Sequence, residues 1–187
     1  MAHRDDQIKY PDMLIFDLDP SVNDFNTVRH AAFCLRELLK ELGLDSFIKT
    51  TGSRGVHIII PLDRSTAFDD VRKFAKNVAR VLANRHPNEL TDEQRKNKRG
   101  NRVFIDTLRN SYGQTAVAPY AVRAKPGAPI ATPLDWYELT NKKMNAQSYT
   151  IKNILMRTSQ KEDPWLEMWR YAYSIKKAKN KLDELRY

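Results

Sequence analysis

Two aspartates, Asp17 and Asp19, sit at the end of the short apolar run Met13 to Asp19 (MLIFDLD), and a third, Asp106, follows the apolar run Val103-Phe104-Ile105. Alternate residues of an extended strand share a face with Cα atoms roughly 6.6 Å apart, so the carboxylates of Asp17 and Asp19 converge. Two neighbouring carboxylates repel, and one takes up a proton unless a hard divalent cation lies between them. Mg2+ or Mn2+ meets that need. With Asp106 delivered by another strand, a two-metal site is expected, in which cations roughly 3.5–4 Å apart activate an attacking hydroxyl and stabilise a leaving pyrophosphate. That chemistry is nucleotidyl transfer, with Asp17, Asp19 and Asp106 as both catalytic residues and metal ligands. Asp-x-Asp alone is a weak motif, because it also ends strands that stop at a turn, as Pro20 stops this one.

A second group of residues suits a phosphate tail. The link Thr51-Gly52-Ser53-Arg54-Gly55 supplies hydroxyls, a guanidinium and backbone N–H groups that glycine leaves unshielded, and His57 follows it. The structural alternative for this link is a tight hairpin with a surface arginine. Arg99, Arg109 and Arg123 are candidates for neutralising a triphosphate, since guanidinium pairs phosphate bidentately and keeps its charge. Arg109 and Arg123 stand in otherwise uncharged segments, whereas Arg99 belongs to a charge run with Arg95, Lys96 and Lys98. The lysines 176, 177, 179 and 181 read as the exposed side of a helix, and Trp165 and Trp169 at helical spacing read as buried against the domain rather than as a base-stacking platform.

These residues need a scaffold, and the pattern of apolar residues outlines one. The run Met13 to Asp19 reads as a buried strand; Phe25, Val28, Ala32, Leu35, Leu39 and Leu42 recur at threes and fours as a helix face, with Gly43 beyond its end. Ser46 to Thr50 and Val56 to Leu62 read as a hairpin around the glycine link, and Phe68 to Leu82 as a second helix. Val103 to Ile105 is a further strand, Thr115 to Arg123 reads as extended with a break at Pro119, and a short helix is expected near Leu134 to Leu139. Tyr149 to Met156 reads as helical, and Asp163-Pro164-Trp165 as the start of a helix running towards Arg186. The order β-α-β-β-α-β predicts an α/β (α+β) fold: a mixed or antiparallel palm sheet of the RNA-recognition type flanked by helices. The expected organisation is one domain over residues 1–187, with a palm core at 11–140 and a helical extension at 141–187.

The 187 residues, 41% of them hydrophobic, suffice for one core. A formal charge of +9, from 32 Lys and Arg against 23 Asp and Glu, points to a polyanionic partner such as nucleic acid. The single cysteine, Cys34, excludes an intramolecular disulfide, and no Cys/His group has zinc-ligand spacing along the chain, so any metal is expected on oxygen. No apolar run reaches membrane-spanning length and the first ten residues are polar, which predicts a cytoplasmic protein without membrane contact.

Three separated segments in order, MLIFDLDPS, KTTGSRGVHIIIPL and RVFIDTLRNSYGQTAVAPYAVRAKPGAPIATPLDWYEL, resemble the polymerase domain of bacterial ligase D, of the archaeo-eukaryotic primase superfamily. The likeness runs from about Pro11 to Glu138 and more loosely to Asp163-Pro164-Trp165. It implies that Asp17 and Asp19 form the first metal-binding motif, Thr51 and His57 the second, and Asp106 the third. It puts Arg54 at a phosphate-contacting basic position and Arg99 and Arg123 at triphosphate-binding arginines. Thr51 replaces the family's usual serine and keeps a hydroxyl, while Arg109 departs from a common glutamine. The resemblance further implies Mn2+-favouring addition of ribonucleotides or deoxynucleotides from nucleoside triphosphates to DNA ends, with or without a template, in non-homologous end joining with Ku and a DNA ligase domain in the nucleoid. The family carries a substantial segment before its first motif, with basic residues for a recessed 5′-phosphate, and this sequence begins almost at the motif. Weaker 5′-phosphate recognition is the resulting expectation.

MLIFDLDPS also resembles the first motif of haloacid-dehalogenase phosphohydrolases, in which the first Asp is a nucleophile. Pro20 in place of the usual glycine, and no later acidic motif after an apolar strand, count against that reading. A non-catalytic nucleic-acid-binding remnant of the polymerase domain is the third alternative.

Overall fold

The computed structural model describes residues 8–185. Strand β1 (Met13–Asp19) is followed by helix α1 (Phe25–Glu41), strands β2 (Phe47–Thr50) and β3 (Val56–Pro61), helix α2 (Phe68–Arg85), and strands β4 (Leu90–Thr91) and β5 (Val103–Asp106). Strand β6 (Pro133–Leu134) and helices α3 (Ile154–Gln160) and α4 (Lys176–Glu184) complete the chain. The strands form one mixed sheet in the order β4-β5-β1-β3-β2-β6. β3 and β5 both run antiparallel to β1, and β2 antiparallel to β3. The crossover through α1 therefore joins parallel β1 and β2 with β3 between them, and the one through α2 returns by way of β4 to β5, parallel to β3 with β1 between them, the split βαβ arrangement twice over.

Strand periodicity decides what each face carries. Leu14, Phe16 and Leu18 of β1, with Val56, Ile58 and Ile60 of β3 and Val103 and Ile105 of β5, pack against α1 and α2 in the main core. Asp24 caps α1 by accepting a 2.9 Å hydrogen bond from the Asn26 N–H, and Gly43 ends the helix with φ +79°. The intervening residues point the other way. There Ile15 and Ile59 are covered by Trp165 and Met168 with Met13 and Phe47 beside them, and the polar residues gather towards the other end of that face.

The C-terminal third departs from the expected elements. Leu134 is not helical: it pairs with Ile48 at the sheet edge, and only a 3-10 turn at Glu138–Thr140 follows. Helix α3 starts at Ile154, later than Tyr149, because Asn153 accepts from the Thr150 N–H and holds a turn there. Asp163 accepts from the Trp165 N–H as an N-cap would, yet no helix runs on. Trp165 and Met168 plug the open face of the sheet, and Tyr173 then hydrogen-bonds Pro61 and Asp63 through its backbone, N–H to Pro61 at 2.9 Å and C=O from Asp63 at 3.1 Å. Those strand-like bonds end the 3-10 turn at Met168–Tyr171 before α4 begins. Arg186 lies outside the described residues. Trp165 is buried, but Trp169 is 37% exposed, so the two part company. Thr115 to Arg123 forms no strand beyond a single bridge from Val122 to Ile130. Among the described residues, no helix is long and apolar enough to cross a membrane.

Candidate active site

The open face of the sheet carries a rank of four polar residues on adjacent strands. Lys49 of β2 faces His57 of β3, His57 faces Asp17 of β1, and Asp17 faces Asp106 of β5. Side chains of directly opposed residues lie about 4.5–5.5 Å apart at Cβ, so the rank is a line of interacting groups. Asp19 stands two residues on from Asp17, opposite Phe104.

Each end of the rank has its own support. Asp106 accepts a 2.7 Å hydrogen bond from the Leu108 N–H, which folds the chain into a turn directly after β5. Asn110, buried, holds that turn against β1: its Oδ1 accepts from the Ile15 N–H at 2.8 Å, and its Nδ2 donates to the Ile15 carbonyl at 2.7 Å. A side-chain amide thus takes the place of a pairing strand. At the other end Lys49 is buried and donates to the Val117 carbonyl at 2.7 Å.

The Gly-bearing link lies against the end of β1. Thr51 donates through Oγ1 to the Gly55 carbonyl at 3.0 Å and accepts from the Ser53 N–H at 3.2 Å, so its hydroxyl closes the turn. Arg123 donates to the Thr51 carbonyl at 2.8 Å and clamps the link from the far side. Arg54 reaches across to Asp19, its Nη2 lying 2.8 and 3.0 Å from the two carboxylate oxygens. Arg109 Nε is 3.7 Å from Asp17 and Arg109 Nη1 donates to the Thr115 carbonyl at 3.2 Å. Arg99, the weakest by sequence of the three triphosphate candidates, is the buried member of its charge run. Its guanidinium stacks 3.6 Å from the Phe104 ring centroid and donates to the Glu93 and Gln94 carbonyls at 2.8 and 2.7 Å.

All nine site residues expected from the sequence, Asp17, Asp19, Thr51, Arg54, His57, Arg99, Asp106, Arg109 and Arg123, line one cleft of about 590 Å³. Ser53 and Gly55 of the glycine link line it too, together with Lys96, Phe104 and the Thr115–Val117 segment, which had not been assigned to the site. Neither had Lys49, whose signal in the sequence, a lysine inside a strand, is that of a solvated side chain.

The electrostatics follow from burial. Burial raises the Asp17 carboxyl, but the hydrogen bond and charge of His57, with Arg109 and Lys49, outweigh it and hold Asp17 below its ordinary value. Burial pushes Asp106 up, the Leu108 N–H opposes this, and the Asp17 charge adds to the rise. Burial lowers the His57 imidazole in spite of the Asp17 carboxylate 3.4 Å from Nε2, so the ring is neutral at pH 7. Burial also pulls Lys49 down to about 7, against the attraction of Asp17. Asp17 and Asp106 thus shift in opposite directions, as two neighbouring carboxylates do. The donor set, carboxylate oxygen throughout, fits Mn2+ or Mg2+.

Fold and cleft together define a protein of the primase-polymerase class, a palm sheet with acids at its centre and arginines around them. The family model described as the LigD primase-polymerase domain matches residues 1–165, and the chain belongs to that family. It is 32% identical over 163 residues to the multifunctional non-homologous end joining protein LigD of Pseudomonas aeruginosa, covering 86% of this chain and 19% of that protein. To the corresponding DNA repair protein LigD of Mycobacterium tuberculosis it is 34% identical over 137 residues, 73% of this chain and 18% of the relative. The chain thus spans about a fifth of the length of these curated relatives. A solved structure, the polymerase domain of Mycobacterium tuberculosis ligase D in complex with DNA, superposes with a TM-score of 0.81 at 30% identity, over 88% of this chain and 57% of that one.

Proposed function

We propose that this chain is a metal-dependent nucleotidyltransferase that adds ribonucleotides or deoxyribonucleotides to DNA 3′ ends in non-homologous end joining. The observation that carries this reading is the unbroken rank of His57, Asp17 and Asp106 on three adjacent strands, with Asp19 on the same face. Asp17, Asp19 and Asp106 hold two Mn2+ or Mg2+ ions in this scheme. When bound, such ions supply activation of the primer hydroxyl and neutralisation of the leaving pyrophosphate.

The chain's own residues do the rest. Arg54, Arg109 and Arg123 face the cleft and bind the triphosphate, the Thr51 turn presents its N–H groups to phosphate oxygen, and neutral His57 orients Asp17 while remaining a hydrogen-bond donor. Arg99 acts through position: stacked on Phe104, it fixes the segment that brings Lys96 to the cleft rim. The +9 charge suits a DNA partner, and the solved relative is a polymerase domain bound to DNA. Ku, a ligase domain and a place at the nucleoid in the cytoplasm belong to the same proposal, as does the action of residues 1–187 as one domain. Family membership removes the phosphohydrolase alternative.

Primer extension with Mn2+ and either nucleotide class, run beside an Asp17→Ala/Asp19→Ala variant, tests the reading. Extension by the wild type and none by the variant is expected. A wild type that binds DNA in a salt-dependent manner but neither extends a primer nor binds nucleotide with metal is a binding module, and the proposal then fails.

A further inference from the structure

On the opposite side of the sheet the fold assembles a group that spacing along the chain conceals. His30 and Cys34 lie one turn apart on α1 and so share a face, and His86 stands at the C-cap of α2. One ligand atom from each of the three lies within 4.8 Å of the other two. Cys34 Sγ is 3.5 Å from His30 Nε2, and the His30 and His86 rings meet edge to face with centroids 6.0 Å apart. Spacing along the chain does not show this cluster, whose members only the packing of α1 beside α2 brings together.

We propose that His30, Cys34 and His86 form a binding site for a borderline-soft divalent cation, Zn2+, separate from the carboxylate cleft. Tetrahedral zinc with thiolate and imidazole ligands keeps its donor atoms roughly 3.3–3.6 Å apart. The Cys34–His30 pair already has that separation, and a side-chain rotation of the exposed His30 closes the remainder. A thiolate and two imidazoles discriminate against Mn2+ and Mg2+, which favour oxygen. Glu89 adds a second sign of a built site. Its carboxylate is 3.6 Å from His86 Nδ1, where a carboxylate orients a ligating imidazole. A water completes the coordination. The ion ties α1 to the end of α2, just before the chain enters β4 and pairs with the strand that carries Asp106.

Cobalt titration of the untagged, chelator-treated protein reads this out directly. Cys34 is the sole cysteine, so a near-ultraviolet thiolate-to-cobalt absorption can arise only there. The wild type is expected to develop that band with tetrahedral visible absorption at one equivalent, and to lose both on addition of Zn2+. Cys34→Ser removes the band with unchanged circular dichroism, Glu89→Gln weakens binding by about 10–100-fold, and an Asp17→Asn/Asp106→Asn variant keeps the band. No thiolate band in the wild type, or equal Zn2+ affinity in wild type and Cys34→Ser, overturns the site.

Discussion

Asp17 and Asp106 are directly opposed residues of β1 and β5, two carboxylates side by side on the open face of the sheet. Burial and the charge of Asp17 push Asp106 above its ordinary value. Between the ordinary and the raised value the folded protein holds a proton that the unfolded chain has released, so metal-free stability falls as pH rises through that window. Asp106→Asn keeps an acceptor for the Leu108 N–H and removes the repulsion. The metal-free variant should be more stable than the wild type at neutral pH, with the advantage vanishing below the ordinary carboxylate range. Nucleotide addition should fall by about 100-fold or more, and Mn2+ should no longer raise the melting temperature. Melting curves with and without Mn2+ check both; an unchanged Mn2+ response removes Asp106 from the metal set.

Arg54 pairs with Asp19, and both side chains are partly exposed. An exposed pair contributes about 0–1 kcal/mol, so Arg54 competes weakly with a cation for Asp19. Arg54→Ala should therefore tighten Mn2+ binding without nucleotide by up to about fivefold, and weaken nucleotide binding in the presence of Mn2+ by about 10–100-fold. Calorimetric titration of each ligand separates the two effects. If both affinities fall together, Arg54 supports the loop rather than exchanging partners.

What could be read from the sequence divides along a physical line. Local signals held: the spacing from Phe25 to Leu42, with Gly43 beyond its end, gave α1, and the alternation of MLIFDLD gave β1 with both acids on one face. The rank itself depends on register between strands far apart in sequence, which no local pattern states. Lys49 escaped notice because its burial comes from the Val117 segment crossing over it. The helix expected after Asp163 failed because Trp165 and Met168 found an apolar strip on the sheet, and Tyr173 found free backbone groups at Pro61 and Asp63. The cap chemistry was right, and tertiary contacts overrode its sequel.

Lys49 gives a pH dependence of its own. Burial brings its ammonium from 10.5 down to about 7 against the attraction of Asp17, and Arg123 adds to the fall. Within that window the unfolded chain binds a proton that the folded chain lacks, so stability rises with pH from about 7 to 10.5 and the full cost of the buried cation is present below it. Lys49→Met preserves much of the volume without the charge. Denaturant midpoints at about pH 7 and about pH 9.5 should differ less in the variant than in the wild type, because the titrating group is gone. Equal pH slopes would mean that Lys49 keeps an ordinary ammonium.

Gly55 is required by approach rather than by dihedral angle. A Cβ at this position would lie 1.9 Å from the Leu18 carbonyl oxygen and 3.0 Å from its carbon, both backbone atoms of the strand that carries Asp17 and Asp19. Neither partner can yield without moving β1 or the turn, so Gly55→Ala should cost about 1–3 kcal/mol and displace Thr51 and Arg54 from the cleft. Gly113 is the fitting control, since its φ of +75° disfavours a side chain while nothing lies within 4 Å and it does not line the cleft. Gly113→Ala should lose stability through backbone strain alone, about 1–2 kcal/mol, and bind nucleotide as the wild type does. Gly55→Ala should lose both stability and nucleotide affinity. Because the two variants carry losses of similar size, a drop in affinity confined to Gly55→Ala ties the turn to the nucleotide; equal affinities in the two would separate the glycine turn from the binding site.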